Sequence, residues 1–360
     1  MNGIWGNNIQ LSLFGESHGK ALGITINGLP PGFEINFDKV SREMSRRSPG
    51  GNSISTERKE VDQPEILSGY FNKKTTGAPL CAIIRNDDSR SEDYSQLKDL
   101  MRPGHADYTG AVKYKGFNDY RGGGHFSGRL TAPLVFAGAI CKQILEKQDI
   151  AIGAHIKSIK GIEDKPFDPI NISKELLEKL YVKELPVIED IKEAEMKTVI
   201  LDAKNNGDSV GGTIECAIIG LRAGIGEPFF DSVESTLAHL VFSIPAVKGI
   251  EFGLGFDMTE LFGSQANDEF YYVSDQVKTK TNNNGGILGG ITTGMPIIFR
   301  CAIKPTPSIA KVQNTINLAE KKNDVLAITG RYDPCIVQRA VPVVEAVTAI
   351  GIFDLLEGAK

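Results

Sequence analysis

The sequence predicts an α+β sandwich assembled from two related halves, about 1–150 and 200–360, packed about a pseudo-twofold axis. Three observations carry that expectation. Residues 15–32 (GESHGKALGITINGLPPG) reappear at 207–224 (GDSVGGTIECAIIGLRAG), a constant offset of 192 that pairs Gly15/Gly207, Ser17/Ser209, Gly19/Gly211, Gly28/Gly220, Leu29/Leu221 and Gly32/Gly224. Further matches follow in the same order: 66–69 (ILSG) with 287–290 (ILGG), 75–80 (TTGAPL) with 292–297 (TTGMPI), and 133–137 (PLVFA) with 342–346 (PVVEA). Chance accounts for one short match; four in one order argue a repeated structural unit. Strand and helix patterns also recur within each half, while no strand–GxGxxG–helix unit supports a Rossmann domain.

The elements follow from local pattern. Alternating or β-branched runs at 22–28, 80–85, 213–219 and 297–303 predict strands bounded by Gly-rich turns. Helices are predicted at 38–47, 133–147, 231–242 and 342–356. Asp38 and Asp231 open two of them, and Pro133 and Pro342 suit the first turn of the others. Residues 158–206, rich in Lys and Glu, predict a solvated helical excursion between the halves. The whole chain, 1–360, is expected to form a single domain.

Composition narrows the function. With 41% hydrophobic and 24% charged residues, the chain has the make-up of a globular protein, not of a disordered one. Its 40 basic and 45 acidic residues leave a net charge of −5, which argues against a general nucleic-acid or membrane-surface binder. The five cysteines are widely spaced with no C-x-x-C pair, as expected of buried thiols in a reducing compartment. Residues 1–14 have no basic residue ahead of the apolar stretch, unlike a secretory signal, and the apolar run 133–141 is far short of the ~20 residues that span a bilayer. A cytoplasmic location is expected.

Glycine is in excess, 39 of 360 residues, and the excess is clustered. The clusters are FGESHG (14–19), RRSPGG (46–51), RPGHAD (102–107), RGGGHFSGR (121–129), NNNGGILGG (282–290) and GRYDP (330–334). Glycine lets backbone approach a ligand closely, and the Arg within these loops offers a fork for phosphate or carboxylate. One such cluster reads equally as a tight turn; six suggest a pocket for a small polyanion. His18, His105 and His125 lie in these loops and suit proton transfer. His155 and His239 lie in apolar patterns and read as structural. His18 faces Val210 in the repeat alignment, so one half keeps a proton-transfer group that the other lacks. Asp333 suits either a helix N-cap or a partnership with Arg331, and both readings stay open. No metal-ligand spacing and no Gly-x-Ser-x-Gly occurs. By itself the sequence supports an enzyme that handles a phosphorylated or carboxylated small molecule.

FGESHG, NDDSRSEDY (86–94), RPGHADYT (102–109), DYRGGG (119–124), GGILGGITTG (285–294), KPTPSI (304–309) and GRYDPCIVQRAVPVVEA (330–346) together resemble the chorismate synthase family, in order from about residue 5 to 355. The resemblance implies a β-α-β sandwich with a helical layer between two antiparallel sheets, assembled as a homotetramer. It implies a lyase of the shikimate pathway for aromatic amino acid biosynthesis. Its reaction is the 1,4-anti elimination of phosphate from 5-enolpyruvylshikimate 3-phosphate to give chorismate, and it requires reduced FMN. By matching motif positions, His18 would protonate the departing phosphate, His105 the reduced flavin, and Asp333 would assist removal of the C6 hydrogen through the flavin. Arg47, Arg46 and Arg129 would contact substrate or NADP. FMN contacts would come from His125, Phe126, Ser127, Pro245, Ala246, Gly289, Lys304, Pro305, Thr306, Pro307, Ser308 and Arg331. The chain departs from the family pattern at His125-Phe126, at Tyr332 and at Pro245, where an Asn is common. Ser53 replaces a residue that is basic in many relatives. With no extra segment either, dependence on a separate flavin reductase is expected, NADPH acting only indirectly.

Overall fold

The computed structural model describes residues 3–50, 54, 62–86, 97–328 and 332–360. Two five-stranded antiparallel sheets enclose a layer of helices. The first sheet contains β1 (Ile4–Trp5), β2 (Gln10–Gly15), β3 (Ala21–Asn27), β4 (Glu65–Ser68) and β5 (Leu80–Arg85), in the order β1-β2-β3-β5-β4. The second contains β6 (Ala151–Ile159), β7 (Ile162–Glu163), β8 (Gly212–Ile219), β9 (Val247–Phe252) and β10 (Ile297–Ile303), in the order β9-β10-β8-β6-β7. The helices are α1 (Phe37–Arg47), α2 (Asp107–Lys113), α3 (Thr131–Glu146), α4 (Lys174–Tyr181), α5 (Asp190–Asn205), α6 (Val233–Ser243) and α7 (Val337–Gly358). The fold is α+β, with α3 packed on β3 and β5, α7 on β6 and β8, and α1 and α6 alongside them.

Local signals place the layer. Asn36 caps α1 by accepting from Lys39 N at 3.1 Å, and Ser232 caps α6 by accepting from Ser235 N at 3.0 Å. Helices α3 and α7 are buried nearly all round, as expected of helices lying between two sheets. They cross so closely that a methyl group on Gly138 would sit 2.3 Å from Ala346 Cβ. Pro133 does lie in the first turn of α3, but Pro342 does not open its helix: α7 begins at Val337 and carries the proline inside. The buried residues Val337, Ala340 and Val341 reward that extra turn with core contacts, which offset the missing N–H.

The segment 158–206 is less solvated than its composition suggests. It begins within β6, and Leu177 and Leu180 of α4 cover the outer face of the second sheet with Phe167, Ala217 and Ile298. This is why β6 and β8 are buried on both faces.

Two short hairpins outside these sheets, one at 70–75 and one at 287–292, share a local device. Thr75 Oγ1 donates to Pro30 O and accepts from Phe33 N, while Thr75 O accepts from Gly32 N, at 2.5, 2.9 and 2.7 Å. Thr292 makes the same three bonds to Arg222 O, Ile225 N and Gly224 N, at 2.7, 2.9 and 2.9 Å.

A buried ion cluster ties the layer together. Glu345 of α7 accepts from Arg46 of α1 and from Lys142 of α3, at 2.6 and 2.8 Å. Its second oxygen takes the Ala154 N–H of β6 at 3.0 Å. Burial pushes the Glu345 carboxyl up, but the Arg46 and Lys142 charges outweigh it and hold it below the usual carboxylate range. Glu345→Ala would leave Arg46 and Lys142 sharing Glu43 as their one remaining carboxylate partner in this cluster, and is expected to cost about 3 kcal/mol in urea unfolding, against under 1 kcal/mol for a solvent-exposed pair such as Arg85–Glu65.

Candidate active site

The site forms at one end of the helical layer, where the first turns of α3 and α7 meet the last turns of α1 and α6. Its centre is the segment Arg121–Phe126, whose Gly122, Gly123 and Gly124 all take positive φ, at +59°, +86° and +55°. Each glycine has a reason beyond conformation. A methyl group on Gly122 would lie 2.4 Å from His18 Cδ2, one on Gly123 would lie 2.9 Å from His105 Cε1, and one on Gly124 would lie 2.0 Å from Asp119 O. Two imidazoles from separate loops therefore rest on successive residues of a single glycine ribbon. The ribbon is fixed to the 15–19 loop by Ser17 N donating to Gly124 O at 3.0 Å and by His125 Nδ1 against Gly15 O at 2.8 Å.

His105 Nδ1 lies 2.7 Å from Asp107 Oδ1. Asp107 is clamped by Arg102, whose Nε and Nη2 donate to it at 2.7 and 2.8 Å. Burial raises the Asp107 carboxyl, but hydrogen bonds from Arg102 and His105 outweigh it and hold it well below the usual carboxylate range.

Across the cavity, Asp62 is a buried counter-charge for two of the expected arginines. It accepts from Arg47 Nε at 3.1 Å and from Ser48 Oγ at 2.7 Å, and its other oxygen takes Arg129. Burial again pushes its carboxyl up, and Arg47 and Arg129 pull it below the ordinary value. Arg129 also reaches Asn86 Oδ1 at 3.2 Å. Of the two readings left open for Asp333, the helix cap does not hold, and the partnership with Arg331 falls on a residue outside the described ones. The Asp333 carboxylate accepts from Arg339 Nη1, and α7 starts at the N-cap Ile336 with no side-chain cap. Arg339 Nε also donates to Arg47 O at 3.0 Å, linking the two arginine groups.

The third wall pairs residues 304–308 with the turn after α6. Lys304 Nζ donates to Gly104 O, and Thr306 Oγ1 donates to Asp333 O at 2.6 Å. Burial, reinforced by nearby Lys248, lowers the Lys304 ammonium. Val247 N donates to Ile244 O at 3.3 Å, closing a turn with Pro245 and Ala246 at its centre. Ala246 has φ +76°. Proline cannot take positive φ, so this is a type II turn, with Pro at its preferred second position and Ala where Gly is usual.

These walls enclose a cavity of about 1340 Å³. Of the expected site residues, His18, His105, Asp333, His125, Phe126, Ser127, Pro245, Ala246, Lys304, Thr306, Pro307, Ser308, Arg47 and Arg129 line it. Three do not. Arg46 turns into the core to meet Glu43 and Glu345, because its guanidinium is needed there. Gly289 lies exposed in the 287–292 hairpin. Pro305 packs instead against Gly211, where a methyl group would lie 2.9 Å from its Cδ. Arg331 and Ser53 lie outside the described residues. His239, read as structural, is exposed on α6 and lines the cavity. His155 is structural, buried between Asp164 and Glu215 at 3.0 Å each.

Sequence reasoning passed over Arg102, Asp107 and Asp62. The first two stood inside the RPGHADYT motif; Asp62 carried no local signal. Among the described residues, seven Lys or Arg side chains line the cavity against one carboxylate, Asp333.

Comparison with known proteins agrees with this picture. The family model described as Chorismate synthase matches residues 9–356. The chain belongs to the chorismate synthase family. It is 46% identical over 352 residues to the chorismate synthase of Thermococcus kodakarensis, covering 98% of this chain and 96% of that one. It is 45% identical over 361 residues to that of Methanocaldococcus jannaschii, covering 98% and 95%. A solved structure titled "Crystal Structure of Chorismate Synthase" superposes with a TM-score of 0.76 at 31% identity, covering 99% of this chain and 93% of the other.

The glycine ribbon generates a test. Gly122→Ala or Gly123→Ala must displace an imidazole by a sizeable fraction of an ångström, and a turnover loss of about 10²-fold is expected. Gly263→Ala, where a methyl group meets nothing within 4 Å, should leave turnover unchanged in the same steady-state assay.

Proposed function

We propose that this chain carries out its family's reaction in the cavity described above, with His18, His105 and Asp333 as the proton-handling groups. The reaction removes phosphate and a C6 hydrogen from 5-enolpyruvylshikimate 3-phosphate to give chorismate. The observation that carries this assignment is that the imidazoles of His18 and His105 share one glycine ribbon in a cavity lined, among the described residues, by seven Lys or Arg side chains and one carboxylate.

The chemistry follows from charge. The substrate brings a phosphate and two carboxylates, and Arg47, Arg129 and Arg339 converge where such groups need bidentate partners. A protonated His18 neutralises charge developing on the departing phosphate and supplies its proton. Asp333 is the carboxylate available on this wall to accept a proton, and Arg339 holds it in place. The apolar side chains of Leu130, Leu134 and Val343 keep water from the reacting centre.

The cavity also suits reduced FMN. Its volume exceeds the ~300–1,000 Å³ of a pocket for a single drug-sized ligand, and its cation set leaves charge for a second phosphate. When bound, reduced FMN lends electron density as the C–O bond to phosphate breaks, with no net redox change. Ser127, Ala246 and the 304–308 loop would hold it. Phe126, packed on Tyr114 with ring centroids 6.1 Å apart, offers an aromatic edge in place of the family's usual residue. Gly289 would reach a cavity if a neighbouring subunit of the proposed homotetramer supplied its hairpin. We further propose a cytoplasmic enzyme fed by a separate flavin reductase, NADPH acting only through that reductase. The matching bonds of Thr75 and Thr292 support one domain built from two related halves.

In a stopped-flow assay with photoreduced FMN, His18→Ala and His105→Ala are each expected to lose at least ~10²-fold in turnover. Wild-type rates in either variant would remove that residue from the mechanism. The wild type should show no turnover with NADPH and oxidised FMN until a flavin reductase is added; turnover without it would refute dependence on an external reductase.

A further inference from the structure

We propose that Asp107 is a positioning residue that locks His105 as the Nδ1–H tautomer, so that every proton His105 exchanges passes through Nε2. The proposal deepens the reading of His105 given above and rests on it.

The geometry decides the tautomer. Asp107 Oδ1 lies 2.7 Å from His105 Nδ1, and an ionised carboxylate can only accept. If Nδ1 carried a lone pair, two acceptors would face each other at that distance with no proton between them. Arg102 Nη2 lies 3.1 Å from the same Nδ1 and could in principle donate to it. One Nη2 hydrogen is taken by Asp107 Oδ1, the closer acceptor at 2.8 Å, within a two-pronged clamp completed by Nε, and a second turned to Nδ1 would still leave the Nδ1 lone pair facing Oδ1 at 2.7 Å with no proton between them. The Arg102 backbone N–H adds a third donor to Asp107 Oδ2 at 3.0 Å.

Asp107 is therefore held as a carboxylate by donors on both oxygens, and its side chain is 5% exposed. It does not compete for the imidazole proton. With Nδ1–H fixed, the ring presents Nε2 and Cε1 to the ribbon, where a methyl group on Gly123 would lie 3.0 and 2.9 Å away. The other groups facing this corner are cations or neutral: Lys304 on Gly104 O, and Ser308 Oγ 3.3 Å from Arg102 Nη1. The sequence hid this role because Asp107 also opens α2 as a residue of its first turn, a place where acids are ordinary.

The test has two arms. Histidine 15N NMR of the wild type above the imidazole pKa should show His105 with a pyrrole-like Nδ1 and a pyridine-like Nε2; the reverse pattern would overturn the proposal without any variant. In Asp107→Asn, whose amide can turn an N–H toward Nδ1, the tautomer should invert. kcat should fall about 10²- to 10⁴-fold, the range seen when a carboxylate partner of a catalytic histidine becomes an amide, with KM for substrate changed less than about 3-fold. A kcat near wild type with an unchanged 15N pattern would refute the lock. A variant that fails to fold leaves the wild-type spectrum as the deciding measurement. His105→Ala separates the two claims: wild-type turnover there defeats the role of His105, whereas a large loss there beside an unaffected Asp107→Asn defeats only the lock.

Discussion

Crowding seven cations around one cavity is electrostatically unfavourable, and the fold tolerates it by placing carboxylates behind the wall. Asp62 stands between Arg47 and Arg129, and Asp107 behind Arg102 and His105, while Asp333 on the wall itself answers Arg339. Each acid is buried, so each would be costly without its cation, and each cation would be repelled by its neighbours without the acid. The result is a wall that stays positive toward the cavity while its rear is nearly neutral. Fixing the guanidinium groups in this way also spares a bound anion the work of ordering them.

The loops 15–19 and 207–211, which align in the sequence, stand in different relations to the cavity. The first, after β2, presents Ser17 and His18 to the cavity. The second holds the site from outside: Ser209 Oγ donates to Thr306 O at 2.7 Å, and Val210 N donates to Pro334 O at 2.8 Å. Val210 is buried where His18 meets the cavity. One of these loops thus faces the cavity and the other supports residues that surround it.

Much of this was legible in the sequence, and the failures have physical causes. Strand limits came out within a residue because alternation is a local property, as at 80–85 and 297–303. The start of α7 was missed because residues 337–341 contain Gln338 and Arg339, whose burial or pairing is a tertiary fact. His239 looked apolar in context, yet the buried stripe of α6 runs through Val233, Leu237, Leu240 and Val241 and leaves it off that face. Arg46 and Arg47 are adjacent and identical in type; only the helix turn between them sends one to Glu345 and the other to Asp62. Asp62 itself lies in no motif, and its partners Arg47 and Arg129 are 15 and 67 residues away in sequence.

The type II turn at Pro245 has a consequence for the shape of the cavity wall. Alanine in the left-handed region is strained, and a flexible residue ahead of it would let the chain relax into other shapes when no ligand is present. The pyrrolidine ring removes that freedom from the unfolded and the ligand-free ensembles alike. The Ala246 carbonyl, which accepts from Lys304 N at 3.0 Å, is thereby held in place by the turn itself. Proline offers no side-chain amide here but fixes the backbone, so the shape of this wall is set by the chain itself.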